Sequence, residues 1–175
     1  MAGHSKWAKV KHQKAITDVR KSKVFTKLLR FVSVEAKKAK GDRTIPSLRS
    51  AIEKARAANV PSDNIERAID KASGAGAELE AVTYEAYGPG GAALIIEGYT
   101  DSRNRTSQEM KHLLSLHGGS LAAPGAAMWA FTKGTEGLVP TTTVELSDED
   151  LEKLAELVDV LEENDDVNNV YTNAA

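Results

Sequence analysis

Near residue 73 the chain changes both its hydrophobic period and the sign of its charge, and this double switch limits the folds open to it. Before that point apolar residues recur every three or four positions; beyond it they alternate or run together in short blocks. The first pattern belongs to helices with one buried stripe, the second to strands. Residues 1–72 hold 18 Lys and Arg against 7 Asp and Glu, a net of +11, whereas residues 73–175 hold 5 against 18, a net of −13. The overall charge of −2 conceals this. Such a split predicts a basic module for a polyanion joined to an acidic module with another task. The small, flexible stretch SGAGA at 73–77 marks the boundary. Two domains are therefore expected, residues 1–74 and 78–175.

In the first, Val24, Phe25, Leu28, Leu29, Val32 and Ala36 form the stripe of a long helix from Asp18 to Lys40, with Thr17 as N-cap and Gly41 past the end. Pro46 opens a second helix through Leu48, Ala51, Ile52 and Ala55 that stops near Asn59, and Pro61 opens a third that ends at Gly74. Three helices on short connections predict a small three-helix bundle.

In the second, VTYEAY (82–87) and AALIIEGYT (92–100) predict strands around the turn GPGG. Thr106 with Glu109 forms a capping box for a helix ending at Gly118. MWAFTK (128–133) and LVPTTTVEL (138–146) read as strands, Pro140 placing the latter at an edge or bulge. Ser147 with Asp150 caps a second helix, and VNNVYT (167–172) is a closing strand. From residue 92 the order matches a ferredoxin-like antiparallel sheet with two helices on one face, 82–87 being an extra strand. The fold class expected is α+β.

Composition and spacing argue against catalysis. There is no cysteine, which removes disulfides and thiolate chemistry and suits a cytoplasmic protein. No apolar run suits a signal peptide or a membrane span. His112 and His117, five apart, splay around a helix, and His4 and His12 have no nearby carboxylate, so no metal site is expected. The GPGG turn lacks the Lys and Ser/Thr of a phosphate loop. No nucleophile, cofactor or small-molecule substrate is predicted.

The basic end points to nucleic acid. Lys6, Lys9, Lys11, Lys14, Arg20, Lys21, Lys23, Lys27 and Arg30 place nine cations in 25 residues, opposed only by Asp18. On a phosphate backbone they would release counterions and give salt-dependent, weakly selective affinity. Trp7 either stacks on a base or packs back on the bundle as an anchor. A smaller cluster, Arg103, Asn104 and Arg105, sits where a helix N-terminus attracts anions; the alternative is an Arg pair fixing the strand-helix corner. A protein adaptor whose acidic domain engages a basic partner is the rival from another class. A monomer is the expected state.

The blocks MAGHSKWAKVKHQKA, KVFTKLLR, AIEKARAANVPSDNIERAI, VTYEAYGPGGAALIIE, TDSRNRT and HGGSLAAPGAAMWAF resemble, in order, those of the YebC/PmpR family, and PTTTVEL with NDDVNNVYTNA resembles its C-terminal end. The resemblance implies a cytoplasmic, non-catalytic regulator of gene expression. Members are described as DNA-binding transcriptional regulators, others as translational activators at the ribosome, so DNA or ribosomal RNA is the implied partner. The charge split, and the absence of a helix bearing an Arg/Asn/Gln set for the major groove, lean toward structured RNA. Two departures stand out. Where the family inserts a third small domain, only GTEG (134–137) joins the flanking strands, a loop that can close a hairpin, and Ser22 stands where Gly is frequent.

Overall fold

The structure is a computed structural model that describes residues 6–12, 18–74 and 79–175, with the side chains of 11–12 and 18–22 outside the description. Thr17, expected as an N-cap, lies outside the described residues. The chain divides into two compact units. One holds Thr83–Gly98 and Arg103–Ala175 together with the first helix; the other runs up to Val82 through the next three helices and includes Tyr99–Ser102.

In the second of these units, helix α2 (Asp18–Lys38) packs against α3 (Pro46–Ala57) and α4 (Ser62–Ser73). The stripe read from the periodicity is the one buried: Val32 and Ala36 of α2 meet Leu48, Ala51 and Ala55 of α3 and Ile65 and Ile69 of α4 in one core. The termini follow local chemistry. After α2 the chain turns through Lys40 at φ 50°, with Gly41 N donating to Ala36 O; after α3 it turns through Asn59 at φ 62°, with Val60 N donating to Ala55 O. Each is a left-handed C-cap that satisfies carbonyls the helix leaves orphaned.

The other unit is a sheet covered on both faces. Strands β1 (Glu80–Tyr87), β2 (Ala93–Thr100), β3 (Ser120–Ala122) and β6 (Val167–Thr172) pair in the order β3-β1-β2-β6, while β4 (Phe131–Gly134) and β5 (Gly137–Pro140) form a separate antiparallel ribbon. Helices α5 (Arg103–Leu116) and α6 (Asp148–Glu163) cover one face, where Leu94 and Ile96 meet Met110, Leu114, Leu154 and Leu157. The ribbon covers the opposite face, where Ala93 and Ile95 meet Ala130 and Phe131, with Leu138 and Tyr171 packed against them. Burial on both sides explains why β2 reads as an unbroken apolar run instead of alternating.

The α+β class, with helices first and then an antiparallel sheet carrying two helices on one face, is therefore as the periodicity predicts. The strands that compose the sheet differ from the ferredoxin-like assignment. The stretch 82–87, read as an extra strand, lies in β1 at the centre, and 119–123, read as no element, contributes β3. The two strands flanking GTEG leave the sheet and pack on its outer face. They are short: residues 128–130 form a 3-10 turn, and pairing stops at Pro140, which cannot donate onward. Their junction is the expected tight hairpin, Gly134 opposite Gly137, with Gly137 at φ 126°.

Helix α1 (Lys6–His12) was not foreseen as an element. It contacts α6, and its half-buried Trp7 packs on the core between the sheet and the two covering helices. The anchoring alternative for Trp7 placed it on the helical bundle; the structure places it on the other unit's core, because that is where α1 lies.

Candidate nucleic-acid interface

Among the described residues, the predicted basic positions fall on two helices. On α1, Lys6 and Lys9 are exposed, and Lys6 Nζ lies 3.1 Å from Asp148 Oδ1 in the acidic first turn of α6. Lys11 is on α1 and Arg20 and Lys21 are on α2, all with side chains outside the description, and Lys14 lies outside the described residues.

On α2, Lys23, Lys27 and Arg30 follow one another at spacings of four and three. At about 100° per residue they fall on the side of the helix opposite Phe25, Leu28, Leu29, Val32 and Ala36, which pack into the core. The three side chains are half-buried. Arg30 donates from Nη1 to the Tyr99 carbonyl at 3.4 Å.

Beside Arg30 lies a group that periodicity could not reveal. The Phe31 ring stacks on Tyr99, centroids 6.1 Å apart at 21°, and Lys54 Nζ sits 5.7 Å from the Phe31 centroid. Phe31, Lys54 and Tyr99 come from three elements, so no spacing in the sequence signals their meeting. Phe31 alone carried a hint, as an aromatic next to a basic helix position.

In the second cluster Arg105 belongs to a structural network. Arg103, Asn104 and Arg105 form the first turn of α5 itself, which begins three residues before the Thr106 N-cap expected from the sequence. Thr106 is buried inside the helix and donates its hydroxyl to Asp166 Oδ2 at 2.7 Å. Arg105 donates to the same oxygen at 2.8 Å and lies 3.6 Å from Glu109, whose other oxygen accepts from Asn164 at 2.9 Å. The capping box gives way to a network that ties α5 to the segment before β6, because the buried Asp166 carboxylate needs donors more than a helix terminus open to solvent does. Arg103 and Asn104 stay exposed, and the Arg103 carbonyl accepts from the Tyr84 hydroxyl at 3.5 Å. The second predicted cap is present as expected: Ser147 Oγ accepts from Asp150 N at 3.1 Å.

Among the described residues no cluster of three or more His, Asp or Glu could hold a metal ion, and no helix is long and apolar enough to cross a membrane.

The sequence matches the family described as the TACO1/YebC protein N-terminal domain over residues 5–75, and that described as the TACO1/YebC second and third domain over 79–136 and 133–174. The last two segments meet at the β4-β5 turn. A protein of Thermosipho africanus named "Probable transcriptional regulatory protein" is 39% identical over 235 aligned positions, covering 99% of this chain and 93% of its own. One of the same description from Thermoanaerobacter pseudethanolicus is 38% identical over 237 positions, covering 99% and 96%. Both alignments are longer than the 175-residue chain, so these relatives carry residues that it lacks. The crystal structure of a conserved hypothetical protein, Aq1575 from Aquifex aeolicus, superimposes with a TM-score of 0.85 at 30% identity, covering 98% of this chain and 97% of that one.

Proposed function

The chain belongs to the TACO1/YebC family, and on that premise we propose that it is a non-catalytic, cytoplasmic regulator of gene expression that binds nucleic acid through its basic helices. The observation that carries this reading is the row Lys23, Lys27 and Arg30 on the face of α2 opposite its buried stripe, within a half of net charge +11. Cations along one helix face suit contacts to a phosphate backbone, and in this reading Arg20 and Lys21, with Lys6, Lys9, Lys11 and Lys14 earlier in the sequence, contribute as well. Trp7, half-buried against the core of the sheet unit, serves in this reading to anchor α1. The relatives are named probable transcriptional regulatory proteins, and in this reading the partner is duplex DNA.

A second reading, association with ribosomal RNA, is favoured by what α2 offers. Lysines and an arginine tied to a carbonyl suit contacts to the backbone better than readout of base edges. Titration of the full chain with a mixed-sequence DNA duplex, beside co-sedimentation with ribosomes at low and high salt, separates the two. Failure to bind either at low salt would sink both.

A further inference from the structure

The cation row of α2 ends beside an aromatic pair. Phe31 follows Arg30 directly and, at about 100° per residue, lies only about 40° round the helix from Lys27. Its ring stacks on Tyr99, which belongs to the same compact unit as α2, α3 and α4, with centroids 6.1 Å apart and planes inclined by 21°. Two helices bring cations to this pair. Arg30 of α2 donates to the Tyr99 carbonyl at 3.4 Å, and Lys54 of α3 holds its Nζ 5.7 Å from the Phe31 centroid. Phe31 and Tyr99 are half-buried and Lys54 is exposed. Phe31 packs partly against the helical core, yet it is left incompletely covered, beneath a cation.

We propose that Phe31 and Tyr99, with Arg30 and Lys54, form a stacking site for an unpaired nucleotide: a strand whose phosphates follow Lys23, Lys27 and Arg30 places a base on the aromatic pair. The proposal rests on the reading that α2 meets nucleic acid, and it names the form of nucleic acid taken. In a duplex both faces of each base are covered by its neighbours, so only an unpaired base has a face to offer a side chain. Single strands are held where a row of cations tracks the phosphates and rings beside it take the bases. Lys54 fits both duties. Its ammonium rests over the Phe31 ring through a weak attraction, and its long flexible stem lets it move to the phosphate of an approaching strand and yield the ring to the base. An acidic peptide would satisfy the cations but leave the paired rings unused.

The test measures binding of the full chain to fluorescent single strands of one mixed sequence, as RNA, as DNA, and as abasic DNA that keeps every phosphate but lacks the bases. The DNA strand should bind about 5- to 150-fold more tightly than its abasic counterpart, the range expected for one stacked base. Phe31→Leu and Tyr99→Leu should each shrink that preference. Lys54→Gln, at an exposed position, should flatten the dependence of log affinity on log salt by about 0.7. Equal binding of base-bearing and abasic strands by the parent overturns the proposal, whatever the folding of any variant. So does a preference that survives in both Phe31→Leu and Tyr99→Leu when these melt cooperatively, since the base would then stack elsewhere. Binding of neither strand nor duplex at low salt sinks the underlying reading as well, which separates the two failures. A preference for the RNA strand over the same DNA sequence supports the proposal with RNA as the source of the unpaired nucleotide; the reverse supports it with a DNA strand.

Discussion

Lys6 Nζ donates to Asp148 Oδ1 at 3.1 Å, joining the basic N-terminal helix to the acidic first turn of α6. Both side chains are largely exposed, 65% and 85%, so water and salt screen the pair and it is worth at most about 1 kcal/mol. Trp7, the next residue, contributes by burial. Lys6→Gln should leave the melting temperature nearly unchanged, whereas Trp7→Ala should cost about 1–3 kcal/mol, a part of the full cost of removing a buried tryptophan. Thermal melts of the two variants decide whether the indole or the charge holds α1.

Glu85 should make stability depend on acid. Burial opposes its charge, but the amides of Gly125, Ala127 and Met128 outweigh this and hold the carboxyl below the ordinary glutamate range. A carboxyl lowered in the folded state contributes stability that is complete above its unfolded value of about 4.3 and is lost as pH falls through the folded one. Urea melts of the parent and Glu85→Gln should therefore differ by about 1–3 kcal/mol at pH 7. The gap should narrow as pH drops below about 4. A gap that stays constant down to pH 3 would mean that the carboxylate charge contributes nothing.

Gly98 sits where the β2-β6 register shifts, and a Cβ placed there would run into the Asp166 carbonyl oxygen. Backbone cannot step aside as a flexible side chain can. Gly98→Ala should destabilise the chain by about 1–3 kcal/mol or more. Gly91→Ala is the comparison: a Cβ there has open space, and its cost comes from the left-handed φ of 81° alone. Denaturant midpoints of the two variants should rank accordingly.

On α2, Lys23→Gln with Lys27→Gln should flatten the dependence of log affinity for duplex DNA on log salt by up to roughly 1.8, about 0.9 for each phosphate no longer neutralised. The variant should still fold cooperatively, since the opposite face of the helix is the one that builds the core. Binding isotherms between low and physiological salt test this. An unchanged slope would remove the α2 row from the interface.

Most helix boundaries were legible because they are set by neighbours in the chain. Asp18 begins α2, Pro46 begins α3, and Ser147 caps α6 as expected. The candidate interface was legible only as a set of cations. Which of them share a face of α2 follows from spacing, but that Lys6 meets Asp148, that Arg30 bonds to Tyr99, and that Arg105 is tied to Asp166 depends on partners remote in the chain.

The amino-acid sequence by itself determined the helical first half, the α+β second half, the reversal of charge between them and the hairpin at 134–137, since period, turn chemistry and charge act over a few residues. Only the tertiary structure decided which strands form the sheet, where α1 docks and what Thr106 bonds to. Phe131 and Leu138 have the pattern of sheet strands, yet they pack on the outer face of β2, because Ala93 and Ile95 present a second apolar surface that has to be covered. Thr106 likewise suits an N-cap, but the buried Asp166 carboxylate, which no local pattern announces, takes its hydroxyl instead. Each choice turns on burial by residues distant in sequence, the part of the free energy that local pattern does not contain.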